Sequence, residues 1–185
     1  MLRGASMNWI RTDELDDAID NLEMTAVFLE TLPNDRKWKW AIISMHQALY
    51  GFAICSTTPS DSSWALKDPS NPDSQLISIW TALKRAKDPA WKRWGISQPL
   101  VVSKAEGWAI RKLVSEFRNE FAHFRPKAWA IEVSGMPAIF GCVLRVLEHL
   151  ALTSDTVTYY DEPLRERTQN ALLRIRDALH PVAAA

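Results

Sequence analysis

Only two cysteines occur in the 185 residues, Cys55 and Cys142, far apart and inside apolar runs. With no CxxC pair and no disulfide framework, they read as small core hydrophobes in a reducing compartment, with no neighbouring Lys, Arg or His arranged to activate a thiolate. An excess of charge is also missing. The 22 basic residues balance 22 acidic ones, which removes any blanket electrostatic case for nucleic-acid binding and leaves room only for a local basic patch. Residues 1–20 hold no apolar stretch like that of a signal peptide, and acids gather from Asp13 onward. The longest apolar run, 40–55, contains Ser44, His46 and Gln47 and falls short of the roughly 20 residues a bilayer span needs. It reads as a buried core helix, and a cytoplasmic protein without a membrane partner is expected. The sequence has no P-loop, no GxGxxG fingerprint, no GxSxG elbow and no HExxH, so no cofactor and no metal is expected.

What the chain does have is helical periodicity over most of a single domain, 1–185. Residues 13–32 space Leu15, Ile19, Leu22, Ala26 and Leu29 along one face behind an acidic first turn. Pro33 breaks that helix, and Asn34 or Asp35 is placed to cap a second one running to about 55. Residues 56–74, rich in Ser, Thr, Pro and Asp, read as a surface loop. A third helix is predicted over 73–87 with Leu76, Ile79, Trp80 and Leu83 on one face, followed by an irregular Trp-containing connector. The fourth, 103–124, opens with the capping-box pattern Ser103 to Glu106 and ends before Pro126. A short extended segment over 128–134, a fifth helix to about 152 and a sixth over 163–180 complete an all-α bundle of five to six helices.

On an ideal wheel the fourth helix divides into two faces. Ile110, Leu113, Val114, Phe117, Phe121 and Phe124 make a core stripe, while Trp108, Arg111, Ser115, Arg118, Asn119, Ala122 and His123 make a polar one. That second face reads either as solvated surface or as a site. The stretch 117–124 resembles the R-N-x-x-x-H motif of the HEPN superfamily, helical bundles that bear it on a late helix. The resemblance rests closely on about ten residues and loosely on the helical organisation. It implies a metal-independent endoribonuclease working as a homodimer, with Arg118, Asn119 and His123 from two protomers around one phosphate. His123 then exchanges protons with the ribose 2′-hydroxyl and the leaving oxygen, Arg118 clamps the phosphate, and Asn119 orients the imidazole one turn away. A 2′,3′-cyclic phosphate and a 5′-hydroxyl result. Arg111, Lys112, Arg125 and Lys127 bracket the motif as RNA contacts. Such proteins serve in toxin–antitoxin or defence systems, which brings in an antitoxin or regulatory protein as a partner. In those silenced by a nucleotidyltransferase, a Tyr stands two residues after the His. Here that position is Arg125, so control by such a modification is not supported.

Other readings stand beside this one. Arg118 pairing with Glu116 or Glu120, and Asn119 and His123 satisfying helix-end carbonyls, give a purely structural account of the motif. A non-catalytic HEPN-like module that dimerises or binds RNA, nucleotide or protein is the alternative function, and a helical ligand-binding or scaffolding protein is a third. Lys84, Arg85, Lys87, Lys92 and Arg93 around Trp91 and Trp94 read first as snorkelling cations over packed indoles, and only second as an RNA surface. His46 reads as a buried, hydrogen-bonded core histidine. His149 and His180 read as surface or capping residues.

Overall fold

The computed structural model describes residues 12–58, 61–91, 97–122 and 130–180. Its first helix, α1 (Glu14–Thr31), has Asp13 at the N-cap, whose carboxylate accepts from the backbone N–H groups of Leu15 and Asp16, each at 2.9 Å. Helix α2 (Asn34–Cys55) includes Asn34, one of the two expected caps, as its first residue, while the Asp35 side chain lies outside what is described. Pro33 occupies the N-cap, and its carbonyl accepts from the N–H groups of Arg36 and Lys37. Helices α1 and α2 fold back on each other through this short turn, and Gly51 lies directly against Ala18. The near-continuous apolar character of α2 has its cause in its position, since it touches α1 and the helical segments 79–87, 118–122 and 136–148.

Helix α3 (Ile79–Lys87) is shorter than its periodicity predicts. Ser78 caps it by accepting from the Thr81 N–H, while residues before it are held extended by a bridge between Leu66 and Leu76. Backbone bonds from Lys67 to Gln75 (2.8 Å) and from Ile77 to Ala65 (2.7 Å) flank that bridge. Leu76 and Trp80 are therefore exposed, and the buried face is Ile79, Ala82, Leu83 and Ala86. The loop 56–74 is accordingly not featureless: Asp61 caps a 3-10 turn (Ser62–Ala65), and a second such turn, Pro89–Trp91, follows α3.

Helix α4 (Lys104–Arg111), a π-helical stretch (Lys112–Phe117) and α5 (Arg118–Ala122) form one rod, so the described residues make six helices and no strand. The predicted capping box is present, with Ser103 and Glu106 bonded in both directions. The described part of the predicted extended segment, 130–134, pairs with nothing as a strand; the Met136 N–H closes a turn onto Val133 O and leads into α6 (Met136–Glu148). A second π-helical stretch, His149–Thr153, prolongs α6. Together they form an 18-residue segment, Met136–Thr153, apolar and long enough to cross a membrane, half of it buried inside the bundle. Among the described residues this segment, rather than the run at 40–55, meets that length and composition.

Helix α7 (Glu162–Leu179), capped by Asp161 on the Leu164 N–H, lies parallel to α1. Three contacts fix the register. Tyr160, Arg167 and Arg174 meet Asp16, Glu23 and Glu30, each pair 144 residues apart, so the two chains advance together in steps of seven. Their apolar stripes, Ile19, Leu22 and Ala26 on one and Ala171, Leu172 and Ile175 on the other, turn into the common core.

Candidate functional site

The π-helical stretch decides how the motif is presented. The Arg118 N–H bonds back to Leu113 O, five residues earlier, so one turn holds an extra residue and everything after it is rotated off the ideal wheel. Ile110, Leu113 and Val114 are buried as predicted, whereas Phe117 and Phe121 are only partly buried. Arg118 and Asn119 are drawn inward to half-buried positions, while Arg111, Ser115 and Ala122 stay exposed. Helix α5 packs on α2, and Arg118 comes near enough to His46 for its charge to act on that ring.

Arg118 has no carboxylate partner among the described residues; neither Glu116 nor Glu120 neutralises it. Its Nη1 donates to Asn119 Oδ1 at 3.3 Å, and Asn119 Nδ2 donates to Ser115 O at 3.1 Å. Asn119 thus orients the guanidinium; its expected task of orienting His123 falls outside the described residues. Four other arginines make ion pairs: Arg145 with Glu106, Arg167 with Asp20 and Glu23, Arg174 with Glu30, and Arg176 with Glu148. A half-buried cation without an anion is costly to desolvate, and that cost falls when an anion arrives.

His46 is 7% exposed, and its Nδ1 lies 3.2 Å from Gln47 Oε1. Burial pushes its imidazole down to about 4, the nearby Arg118 charge pushes the same way, and the Gln47 bond opposes both. It is neutral at physiological pH. The buried, hydrogen-bonded placement read from the sequence holds, but its electrostatic link to Arg118 was not legible there.

The remaining predicted site residues separate. Lys112 bonds Glu116 at 2.5 Å and lies 5.7 Å from the centroid of Trp108, so its charge is already engaged. Arg111 is exposed on the outer side of α4. His123, Arg125 and Lys127 lie outside the described residues, as do Lys92, Arg93 and Trp94. Of the second basic cluster, Arg85 stacks 4.3 Å from the Trp91 centroid and donates to Trp64 O, while Trp64 and Trp91 meet edge-on at 5.6 Å. That cluster is an intramolecular packing unit in its described part. Cys55 is a core thiol pushed up to about 12 by burial, with Glu14 and Asp13 adding to the effect. Cys142 departs from the sequence reading: Arg145 Nη2 stands 3.2 Å from its sulfur, because three residues on one helix face bring them together.

Two grooves border the motif rod, both touching Ile131. One, of about 640 Å³, runs along Trp108, Lys112, Glu116, Glu120 and Glu132. The other, of about 430 Å³, lies between the start of α2 and the end of α5, lined by Arg36, Trp38, Lys39, Trp40, Phe121 and Val133. The second was not singled out from the sequence, although the alternation Lys37-Trp38-Lys39-Trp40 interleaves cations with indoles. Among the described residues no three His, Cys, Asp or Glu side chains stand together as a metal-binding set. No protein-family model, no curated protein and no solved structure matches this chain.

Proposed function

We propose that the protein is a metal-independent endoribonuclease of HEPN type, acting as a homodimer. The observation that carries the reading is Arg118, a half-buried guanidinium held by Asn119 and left without a described carboxylate partner, whereas Arg145, Arg167, Arg174 and Arg176 each meet one. Such a group is poised for an anion from outside, and a phosphodiester matches its planar set of donors. The R-N-x-x-x-H spacing adds His123 as the proton-exchanging partner.

In the proposed reaction His123 removes the proton of a ribose 2′-hydroxyl, whose oxygen attacks the adjacent phosphorus. The bond from phosphorus to the 5′-oxygen breaks, and that oxygen takes up a proton from the partner subunit's copy of the same residue or from the imidazolium just formed. The products are a 2′,3′-cyclic phosphate and a 5′-hydroxyl. Arg118 stabilises the charge that builds on the non-bridging oxygens, a role worth about 10²–10³-fold for one well-placed donor.

The test is cleavage of a mixed RNA pool in EDTA, followed by end-group analysis, with wild type, Arg118→Ala and His123→Ala at protein concentrations spanning dimer dissociation. Cyclic phosphate ends that survive chelation and fall at least 100-fold in both variants are expected. One observation favours a second reading, a non-catalytic binding module: the described bonds of Asn119 are satisfied within its own helix. Under it, wild type and both variants leave the RNA intact, and Arg118→Ala only weakens binding.

A further inference from the structure

Helix α3 carries three cations in its last turn, Lys84, Arg85 and Lys87, and no carboxylate along its length. Packing uses one of them. Arg85 lies 4.3 Å from the Trp91 ring centroid and donates to Trp64 O, tying together two indoles that meet edge-on. Lys84 and Lys87 are exposed, and neither makes a hydrogen bond, ion pair or ring contact among the described residues. The acid that follows them, Asp88, caps the next turn by accepting from the Ala90 N–H at 2.9 Å. The carbonyl end of the helix favours cations here, but that leaves their charge open to a further anion.

The apolar residues of α3 do not all turn inward. Ile79, Ala82, Leu83 and Ala86 form the buried arc, and Trp80 stands beside it, 44% exposed. At about 100° per residue Trp80, Lys84 and Lys87 fall within roughly 60° of one another. The two ammonium groups therefore follow the indole along one side of the helix, one and two turns on. Trp64, 45% exposed, borders the other side, where its carbonyl meets Arg85. That tie fixes the ground on which α3 sits, so a ligand meeting this face orders little more than the side chains it touches.

We infer that this face of α3 is a second contact for single-stranded RNA, in which Trp80 stacks on a base and Lys84 and Lys87 hold the phosphates beside it. The inference rests on the endoribonuclease reading for its choice of RNA, and adds to it a site that holds the substrate without acting on it. What selects the occupant is unneutralised positive charge and a half-exposed flat ring on one helix face. A single strand matches both, with anionic phosphates and open base faces, and the contact tolerates any sequence because every base has a π-face. An acidic peptide uses the ammonium groups and leaves Trp80 unmatched. A duplex keeps its base faces stacked and does the same.

The experiment is fluorescence-anisotropy titration of a labelled 2′-O-methyl oligonucleotide, which lacks the attacking hydroxyl, in EDTA over a range of salt. In Lys84→Gln/Lys87→Gln the affinity should fall about tenfold at low salt, and the slope of log K against log salt should flatten by about 1.4, two contacts at roughly 0.7 each. Trp80→Ala should lose about tenfold with the slope unchanged, and Trp80→Phe should recover most of it, which separates lost stacking from lost folding. Unaltered binding in the lysine variant or in Trp80→Ala, with wild type cleaving RNA, overturns the contact and leaves the ribonuclease reading standing. Losses in both, with wild type leaving unmodified RNA intact, uphold the contact and remove the ribonuclease reading. A duplex of the same sequence that binds as tightly as the single strand overturns the single-strand assignment. An acidic peptide that displaces the oligonucleotide at equal concentration overturns the RNA assignment, and a wild type that neither binds nor cleaves overturns both.

Discussion

Arg118 and His46 show how one charge shapes a neighbour across two helices. Burial and the Arg118 charge hold the His46 imidazole near 4, below the 6.5 of an exposed histidine. Between those values the unfolded chain binds a proton that the folded chain does not, so stability rises with pH over this window and is lost as pH falls through it. The full difference corresponds to an upper limit of about 3 kcal/mol. Melting temperature followed by circular dichroism should therefore drop for wild type from pH 6.5 to 4, and His46→Gln should flatten that segment. Parallel curves for the two proteins would assign the pH dependence to other groups.

At the scale of elements, the pair α1 and α2 is set by a single missing methyl. A Cβ placed on Gly51 comes within 2.6 Å of Ala18 Cβ and 3.2 Å of Ala18 Cα, closer than atoms can sit without a shift of one helix. Alanine at 51 gains about 1 kcal/mol in helix propensity but overpacks a rigid contact, which typically costs about 1–3 kcal/mol. Gly51→Ala should lower the urea midpoint, against the propensity rule, and Ala18→Gly in the same chain should recover part of the loss. A stabilised Gly51→Ala protein would show that the helices separate freely here. The π-helical stretch 112–117 is the other element-scale device, since its extra residue swings Arg118 from the wheel's polar face toward α2.

Across the whole molecule, α7 is tied to α1 by charge as well as by apolar packing. Arg167 reaches Asp20 at 2.6 Å and Glu23 at 2.7 Å, with Asp16 at 4.0 Å, and Arg174 reaches Glu30 at 2.6 Å. These side chains are partly exposed, so solvent screens them and the network is worth little beside the apolar stripe. Arg167→Met should cost about 1 kcal/mol or less at low ionic strength, and the difference from wild type should shrink in 1 M NaCl, where the screening length is about 3 Å. A larger, salt-independent loss in thermal unfolding would mean that Arg167 contributes through its packed stem instead.

The sequence by itself determined the helices whose signals are local. Ser103 marks the start of one, and the apolar spacing of 13–32 gives the buried face of another, because capping and amphipathicity act over only a few residues. The motif residues Arg118 and Asn119 were legible as a pair on one helix for the same reason. What only the tertiary structure decided depends on contacts distant in sequence. The Leu66–Leu76 bridge shortens α3, the parallel register of α7 on α1 repeats over an offset of 144 residues, and the turn of Arg118 toward His46 requires both the π-helical stretch and the packing of α5 on α2. The groove between α2 and α5 belongs to the same class. Its walls come from α2, from α5 and from the segment before α6, and no window of sequence holds all three.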